Sequence, residues 1–460
     1  MTRPARGPLA AIAVAAALAA ATPAQAITVL TVGKSAVLRQ AKGGASALFR
    51  IGRDPAFATL VDPTCAGGDS MTLQVASYPV ATARVDALAK ATLPCAGWKR
   101  ARDGFVYRDP AGATGGVQKI VYARSRFLAR FGGAGHRHVP GPVGYAELWI
   151  EVGGARMNAR FHNFRTNTAD RIVSRKPSSA AAAGEAAFWR VLHGDDHSTT
   201  QQNTALLELT KAVKRERKDG WSQFLIAMMH LYRFAQATPQ WDQISAAALD
   251  DMVAANDAFQ KSVPLLWDGQ TGDSRVPGFA AAAKFGLGVA QNDAALQAEG
   301  LSDLEAAVTV NAFFNVFDLI PVVQALPPTD PRFAQVFPLL KTYVDDPNTL
   351  SCVVSQPEIC SDVGLAPRNV AGALMLFGDV FVKGVGLDPA NVDRAVDFFY
   401  PVASIGASAV PNYLFADAVV ERVGAGKAAA RAALYLDDDP TNDPPIVGAG
   451  PQACAVCHYR

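Results

Sequence analysis

The chain has 460 residues, 50% of them hydrophobic, and its 43 Lys and Arg residues nearly balance 41 Asp and Glu residues. This length and apolar content are ample for two packed cores. A nucleic-acid-binding protein would carry a marked positive excess, so the charge balance argues against that class of partner.

Residues 1–26 are predicted to form a secretory signal peptide. Arg3 and Arg6 supply the positive start, a short apolar run follows, and Ala24-Gln25-Ala26 offers a cleavage site. The run is too short and too rich in alanine for a membrane-spanning helix, and no later stretch is long and apolar enough. We therefore expect a periplasmic or secreted protein without a transmembrane segment. Removal of this segment leaves basic and acidic residues equal in number.

Residues 27–165 are predicted to form an antiparallel β-sandwich or a small barrel, because short strand-like runs alternate with turn clusters. Gly153-Gly154 lies between two such runs and is typical of a two-residue hairpin turn. The region contains no recognisable catalytic arrangement. The runs are 30–32, 47–51, 71–75, 105–107, 119–122, 145–152 and 156–161.

Residues 166–184, rich in proline, serine and alanine, are interpreted as a linker. From 185 to 436 the apolar period becomes helical, which predicts an all-α domain and an α+β multidomain fold class. One apolar stripe indicates a buried helix within a helical array. Its members are Trp221, Phe224, Leu225, Met228, Tyr232 and Ala235.

Parts of this helical region resemble tetratricopeptide repeats. Small and large residues alternate as they do where paired helices approach closely in that family. The resemblance implies a helical-repeat domain, while the irregular spacing leaves a helical bundle open. The matching residues are Ala205, Leu209, Ala212, Ile226, Ala227, Phe377, Gly378, Phe381, Ala395 and Phe399.

The tail, 437–460, is rich in Asp, Pro and Gly and ends in Cys454-Ala455-Val456-Cys457-His458-Tyr459-Arg460. Its C-x-x-C-H motif resembles the haem-attachment site of c-type cytochromes. The resemblance implies one haem c, bound through thioethers from Cys454 and Cys457, with His458 as the proximal iron ligand. Cytochromes c carry the motif early in a domain. Here only two residues follow His458, so whatever encloses the haem must come from upstream.

The other four cysteines fall into two pairs, Cys65 with Cys95 and Cys352 with Cys360. An oxidising compartment favours a disulfide in each pair. A metal site is the weaker alternative, because neither pair has His or Cys neighbours at ligand spacing.

The sixth iron position would decide the chemistry of the haem. Met228, Met229 and His230 cluster on one predicted helix and are the candidate distal ligands. Each also has a simpler interpretation, since methionine usually fills an apolar core and a single buried histidine is usually hydrogen-bonded. The sequence leaves both interpretations open.

Three further clusters favour structural roles. His193 and His197, with Asp195 or Asp196, could bind a metal, but the sequence is more typical of a helix end followed by a new N-cap. His136 and His138 lie in a loop where surface exposure is expected. A basic run is interpreted as a solvated helix face, with a docking patch as the alternative. That run is Lys211, Lys214, Arg215, Arg217 and Lys218.

These patterns predict an exported single-haem c-type cytochrome-like protein that exchanges electrons with a redox partner protein. The alternative is a non-enzymatic interaction scaffold, in which Cys454 and Cys457 form a redox-active disulfide. A haem enzyme or sensor with an open sixth iron position is a third hypothesis. The chain lacks a nucleophile elbow, a phosphate-binding glycine loop and H-E-x-x-H, so a carrier or scaffold is favoured over an enzyme.

Overall fold

The computed structural model consists of a strand-rich N-terminal part followed by a helical part, which confirms the predicted α+β architecture. No helix among the described residues is long and apolar enough to cross a membrane. The structure describes residues 28–41, 44–64, 70–79, 86–133, 136, 141–193, 197–238, 244–345, 368–408, 415–437 and 439–446.

Twelve strands are described in the N-terminal part. All seven strand-like runs of the sequence lie within them. Their bounds are β1 Thr28–Ala41, β2 Gly44–Ile51, β3 Met71–Pro79, β4 Asp86–Leu93, β5 Trp98–Ala101, β6 Gly104–Arg108, β7 Val117–Ala123, β8 Arg126–Gly132, β9 Val143–Val152, β10 Ala155–Phe161, β11 Phe164–Asn167 and β12 Arg171–Ser174.

The long first strand joins two half-sheets. Its start, from Thr28 to Val32, pairs with β10 in parallel, and the strand order continues through β9 and β3 to β4. Beyond an irregularity between Gly33 and Ser35, β1 pairs antiparallel with β2, and the order continues through β8, β7 and β6 to β5. The resulting sheet curls around a single core. Phe49 of one half-sheet contacts Phe161 of the other at a ring distance of 5.3 Å.

The turn between β9 and β10 has the predicted form. Gly153 and Gly154 have φ angles of 55° and 76°. This left-handed conformation at both positions is typical of a type I′ turn, whose twist matches that of the flanking strands. The turn sets a register in which Ile150 faces Met157 and Leu148 faces Ala159.

The sheet extends beyond the predicted β boundary. β12 lies inside the segment interpreted as a linker, 166–184, and pairs with β1 through Ile172 and Val173. Both side chains are buried, so this short strand is held by its contribution to the core. Helix α1 begins at Ser179, which confines the irregular connection to residues 175–178.

The helical part begins at Ser179. Its helices are α1 Ser179–His193, α2 Thr199–Arg215, α3 Gly220–Ala237, α4 Ala246–Leu266, α5 Val276–Ala290, α6 Ala294–Val310, α7 Ala312–Asn315, α8 Ile320–Ala325, α9 Pro331–Asp345, α10 Arg368–Lys383, α11 Ala390–Arg394, α12 Tyr400–Ser408, α13 Ala416–Arg422 and α14 Ala425–Leu434. A π-helical segment, Ala395–Phe399, joins α11 to α12.

The early helices pack mainly as consecutive hairpins, α1 with α2, α3 with α4 and α5 with α6. Tetratricopeptide geometry within this array stays a prediction. Side chains at Ser198, Asp219, Ser245 and Asp293 cap the helices that follow them. Each such cap typically stabilises a helix by about 1 kcal/mol.

Two main cores hold the helical part together. The first lies among α1 to α5 and contains most of the predicted stripe of α3. The second lies among α5 to α14 and reaches Ile446, beyond the last helix. Helix α5 contributes to both, since Ala280 faces the first core and Phe285 the second. The two cores are therefore adjacent along a shared helix.

Candidate functional site

Most residues of the predicted haem and disulfide sites lie outside the described residues. These are Cys65, Cys352, Cys360, Cys454, Cys457 and His458. Cys95 is described and is disulfide-bonded. The pairing of Cys65 with Cys95 and of Cys352 with Cys360 stays a prediction, as does haem attachment.

The candidate distal ligands all lie on α3 but point in different directions, because consecutive helical residues are rotated by about 100°. Met229 is 1% exposed and fills the first helical core. Met228 is half-buried against the same core. His230 lies at the edge of the core, where its Nδ1 is 2.7 Å from Oδ1 of Asp251 on α4.

Among these three residues, His230 fits an axial ligand best. A carboxylate that binds one ring nitrogen of a histidine orients the ring and leaves the other nitrogen for a metal. Asp251 also contacts Arg233 at 3.2 Å, so the same geometry serves an ordinary ion-pair network. Met229 fits poorly, because its side chain is already packed.

The segment containing His193 and His197 has the predicted structural form. Helix α1 ends at His193, and the side chain of Ser198 caps α2 by accepting from the backbone N–H of Gln201. His197 Nδ1 lies 3.2 Å from the hydroxyl of Tyr232. Asp195 and Asp196 lie outside the described residues. Where the structure describes the chain, it brings together no group of three His, Cys, Asp or Glu side chains suited to a metal ion.

The expectation that His136 is exposed was wrong. His136 is only 5% exposed, and the centre of its ring lies 5.7 Å from that of Phe131 on β8. The ring is buried because it packs on an aromatic side chain of the β core. His138 lies outside the described residues.

A buried charge network contacts the segment that precedes the C-x-x-C-H motif. The Asp379 side chain on α10 is fully buried and accepts from Arg422 Nε at 2.8 Å and from the Tyr400 hydroxyl at 2.7 Å. Arg431 on α14 lies 3.6 Å from the same carboxylate. Burial and the neighbouring negative charge raise the pKa of Tyr400 above its usual range, so the hydroxyl stays protonated as a donor.

The two arginines of this network also bind the tail. Arg431 donates to the carbonyl of Pro445 at 2.9 Å, and Arg422 donates to the same carbonyl at 3.4 Å. The Tyr435 hydroxyl donates to the carbonyl of Pro444. Ile446 is 4% exposed and belongs to the second helical core. Residues 444–446 are therefore held by side chains of the helical part, where the sequence indicated only an irregular tail.

A second buried cluster joins the sheet to the helices, and sequence reasoning missed it. Arg275, just before α5, donates to both carboxylate oxygens of Asp273, at 2.8 and 2.6 Å. Both side chains are less than 10% exposed. Burial alone would raise the pKa of Asp273, but the Arg275 guanidinium outweighs it and holds that pKa below its usual range. The pair is charged and buried.

Aromatic side chains from both parts surround the Arg275 guanidinium. It lies 4.4 Å from the Tyr145 ring of β9 and 5.1 Å from the Phe314 ring of α7. Tyr145 stacks on Tyr78 of β3 with a ring distance of 5.3 Å. Asn311 donates to the Tyr78 hydroxyl and to Ser274 Oγ, so polar contacts also join the two parts. We call this buried cluster between the sheet and the helices the junction.

His162, directly after β10, extends this junction. Its ring stacks on Trp221 of α3 at 3.6 Å, with 12° between the planes. Burial lowers the pKa of His162 well below its usual value, so the imidazole is neutral at pH 7. Glu185 of α1 accepts from the Trp189 indole at 3.3 Å. Burial raises the pKa of Glu185 to about 7. Burial therefore disfavours the charged forms of two junction side chains, His162 and Glu185.

We expect Glu185→Gln to remove part of the pH dependence of stability. The pKa of Glu185 is 4.5 in the unfolded chain and about 7 in the folded chain. At a pH between these two values, the side chain is protonated in the folded protein and ionised in the unfolded protein. The wild-type free energy of unfolding should therefore fall by about 3 kcal/mol as pH rises through this window. Urea unfolding at pH 4.5 and pH 8 should show similar stability of the two proteins at the lower pH and a more stable variant at the higher. Equal pH slopes would contradict this assignment.

The junction carried no sequence signal, because its members come from distant parts of the chain: β3, β9, the residue after β10, α1, α3, the segment before α5 and the start of α7. Only Asp219, the N-cap of α3, lies close to a feature recognised in the sequence, the apolar stripe that begins at Trp221. Its Oδ1 also accepts from Asn163, which follows β10. A short capping residue of this kind is recognisable in a sequence, but its second partner is not.

We compared the chain with protein-family models, curated protein sequences and solved structures, and none of the three comparisons gave a match.

Proposed function

We propose that this chain is an exported c-type haem protein that transfers electrons to or from a partner protein. The observation that carries the proposal is Cys454-Ala455-Val456-Cys457-His458 at the C-terminus. Two thiols at this spacing can form thioethers with one porphyrin, and the following histidine can ligate its iron. The predicted signal peptide supports the proposal, because it would take the chain to the compartment where c-type haem is attached.

In this proposal Cys454 and Cys457 are the covalent anchors and His458 is the proximal ligand. The haem, when bound, supplies one-electron redox chemistry, while the protein sets its exposure, axial ligation and access to partners. Of the described candidate ligands on α3, His230 fits the sixth position best, because Asp251 orients its ring through Nδ1.

The contacts of residues 444–446 support a positioned haem. Arg422, Arg431 and Tyr435 bind this segment, and Ile446 is buried. Cys454 follows Ile446 by eight positions, so the attachment site would lie within at most about 29 Å of the held segment.

The deciding experiment is a pyridine haemochrome assay on protein produced in cells with c-type haem maturation machinery. We expect covalent haem in the wild type and none in Cys454→Ala/Cys457→Ala. The Soret and α bands of the native protein would then report whether a nitrogen or sulfur ligand occupies the sixth position. Absence of covalent haem from competent cells would reject the proposal and favour the non-enzymatic scaffold.

A further inference from the structure

The fold brings two basic segments together on one surface. Arg175, in the connection after β12, lies 3.6 Å from Glu216 at the end of α2. This contact places the connection beside the basic run that the sequence interpreted as a solvated helix face. We call the combined surface the basic face. It consists of Arg175, Lys176, Lys211, Lys214, Arg215, Arg217 and Lys218, all exposed.

The positive charge of the basic face is largely uncompensated. Two carboxylates lie within it, and each already has a partner: Glu208 binds Lys211 at 2.6 Å, and Glu216 binds Arg175. Asp219 is buried, and its oxygens cap α3 through Ser222. The basic face thus carries seven cations and two acids, whereas the net charge of the whole chain is only +2.

The cations with no ion pair within the described part of the chain are Lys176, Lys214, Arg215, Arg217 and Lys218. Their ammonium and guanidinium groups are exposed to solvent. An exposed cation without a local acid keeps its full attraction for an external anion.

Exposed leucines accompany the cations. Leu207 is 56% exposed and lies four and seven residues before Lys211 and Lys214, on the same side of α2. Leu265 of α4 is 41% exposed and packs beside Gly220, two residues after Lys218. Leu207 therefore shares one side of α2 with long basic side chains.

We propose that the basic face docks on an anionic lipid surface. Each Lys or Arg near such a surface gains about 1 kcal/mol, and an exposed leucine gains further by entering the headgroup region. Four of the seven cations are lysines, whose flexible point charges suit a fluid layer of phosphates. A fixed array of protein carboxylates is more often met by bidentate arginines. The proposal is independent of haem attachment.

Co-sedimentation with vesicles tests the proposal. We expect the wild-type chain to bind phosphatidylcholine vesicles containing phosphatidylglycerol, and not vesicles of phosphatidylcholine alone. High salt should weaken binding at least about tenfold, because screening shortens the electrostatic range. Lys211→Glu/Lys214→Glu/Lys218→Glu should weaken it by at least about the same factor. Leu207→Asn, which leaves the charge unchanged, should weaken binding by about threefold or more.

The matched control is Lys99→Glu/Arg102→Glu/Arg126→Glu, which changes the net charge equally at exposed positions of the β part. It should bind like the wild type, and circular dichroism should show all variants folded. Failure of the wild type to bind phosphatidylglycerol vesicles, or equal losses in both triple variants, would overturn the proposal. Binding to poly-L-glutamate without vesicle binding would also overturn it and assign an acidic protein surface instead.

Discussion

Replacement of Arg275 by methionine should lower the free energy of unfolding by about 3–5 kcal/mol. The substitution leaves the Asp273 carboxylate buried without its guanidinium partner, which donates two hydrogen bonds at 2.6 and 2.8 Å. It also removes the cation from between Tyr145 and Phe314, which belong to the sheet and the helices. Urea unfolding followed by circular dichroism measures the loss.

Two variants identify the cause of that loss. Asp273→Asn/Arg275→Met removes both charges and should recover part of the stability, because no buried charge is left unpaired. Arg100→Met breaks an ion pair in which Arg100 is 73% exposed, and it should cost less than about 1 kcal/mol. Similar losses for Arg275→Met and Arg100→Met would show that the junction pair contributes no more than a surface ion pair.

Replacement of Arg422 by methionine should cost about 3 kcal/mol and release the tail. The Asp379 side chain is fully buried and would keep the Tyr400 hydroxyl and the more distant Arg431 among its partners. These remaining partners place the loss at the lower end of the range for a broken buried pair. Because Arg422 also binds the Pro445 carbonyl, limited proteolysis should cut residues 437–460 faster than in the wild type.

Asp379→Asn/Arg422→Met separates the two effects of this substitution. Removal of both charges should recover stability, while the tail still lacks one of its hydrogen-bond donors. Fast proteolysis with restored stability would confirm that Arg422 holds the tail directly. Unchanged stability and unchanged cleavage in Arg422→Met would show that Arg422 neither stabilises the fold nor holds the tail.

Local features of the fold were predictable because their causes are local. The turn at Gly153 and Gly154 follows from two residues that tolerate positive φ. The stripe of α3 follows from its helical period, and the cap at Ser198 from its short hydroxyl side chain. Parallel pairing of β1 with β10 was not predictable, because it joins Thr31 to Asn158 across 127 positions.

In the candidate site, too, local patterns were predictable and long-range contacts were not. The C-x-x-C-H motif is a contiguous pattern and could be recognised, whereas the contacts that hold residues 444–446 depend on α10, α13 and α14. The expectation for His136 failed because neighbouring glycines indicate a loop but do not reveal that its ring packs on Phe131. The basic run was recognised, but only the fold placed Arg175 and Lys176 beside it.

The position of β1 has a consequence for how the chain folds. This first strand needs β10 and β12 as partners, and they lie more than a hundred residues later. Long-range pairing is slow, because the entropy of loop closure is lost before the contacts form. Completion of the β part must therefore wait until residue 174 is present. Strand β1 is synthesised before the other described strands, but it is among the last to have all of its neighbours in place.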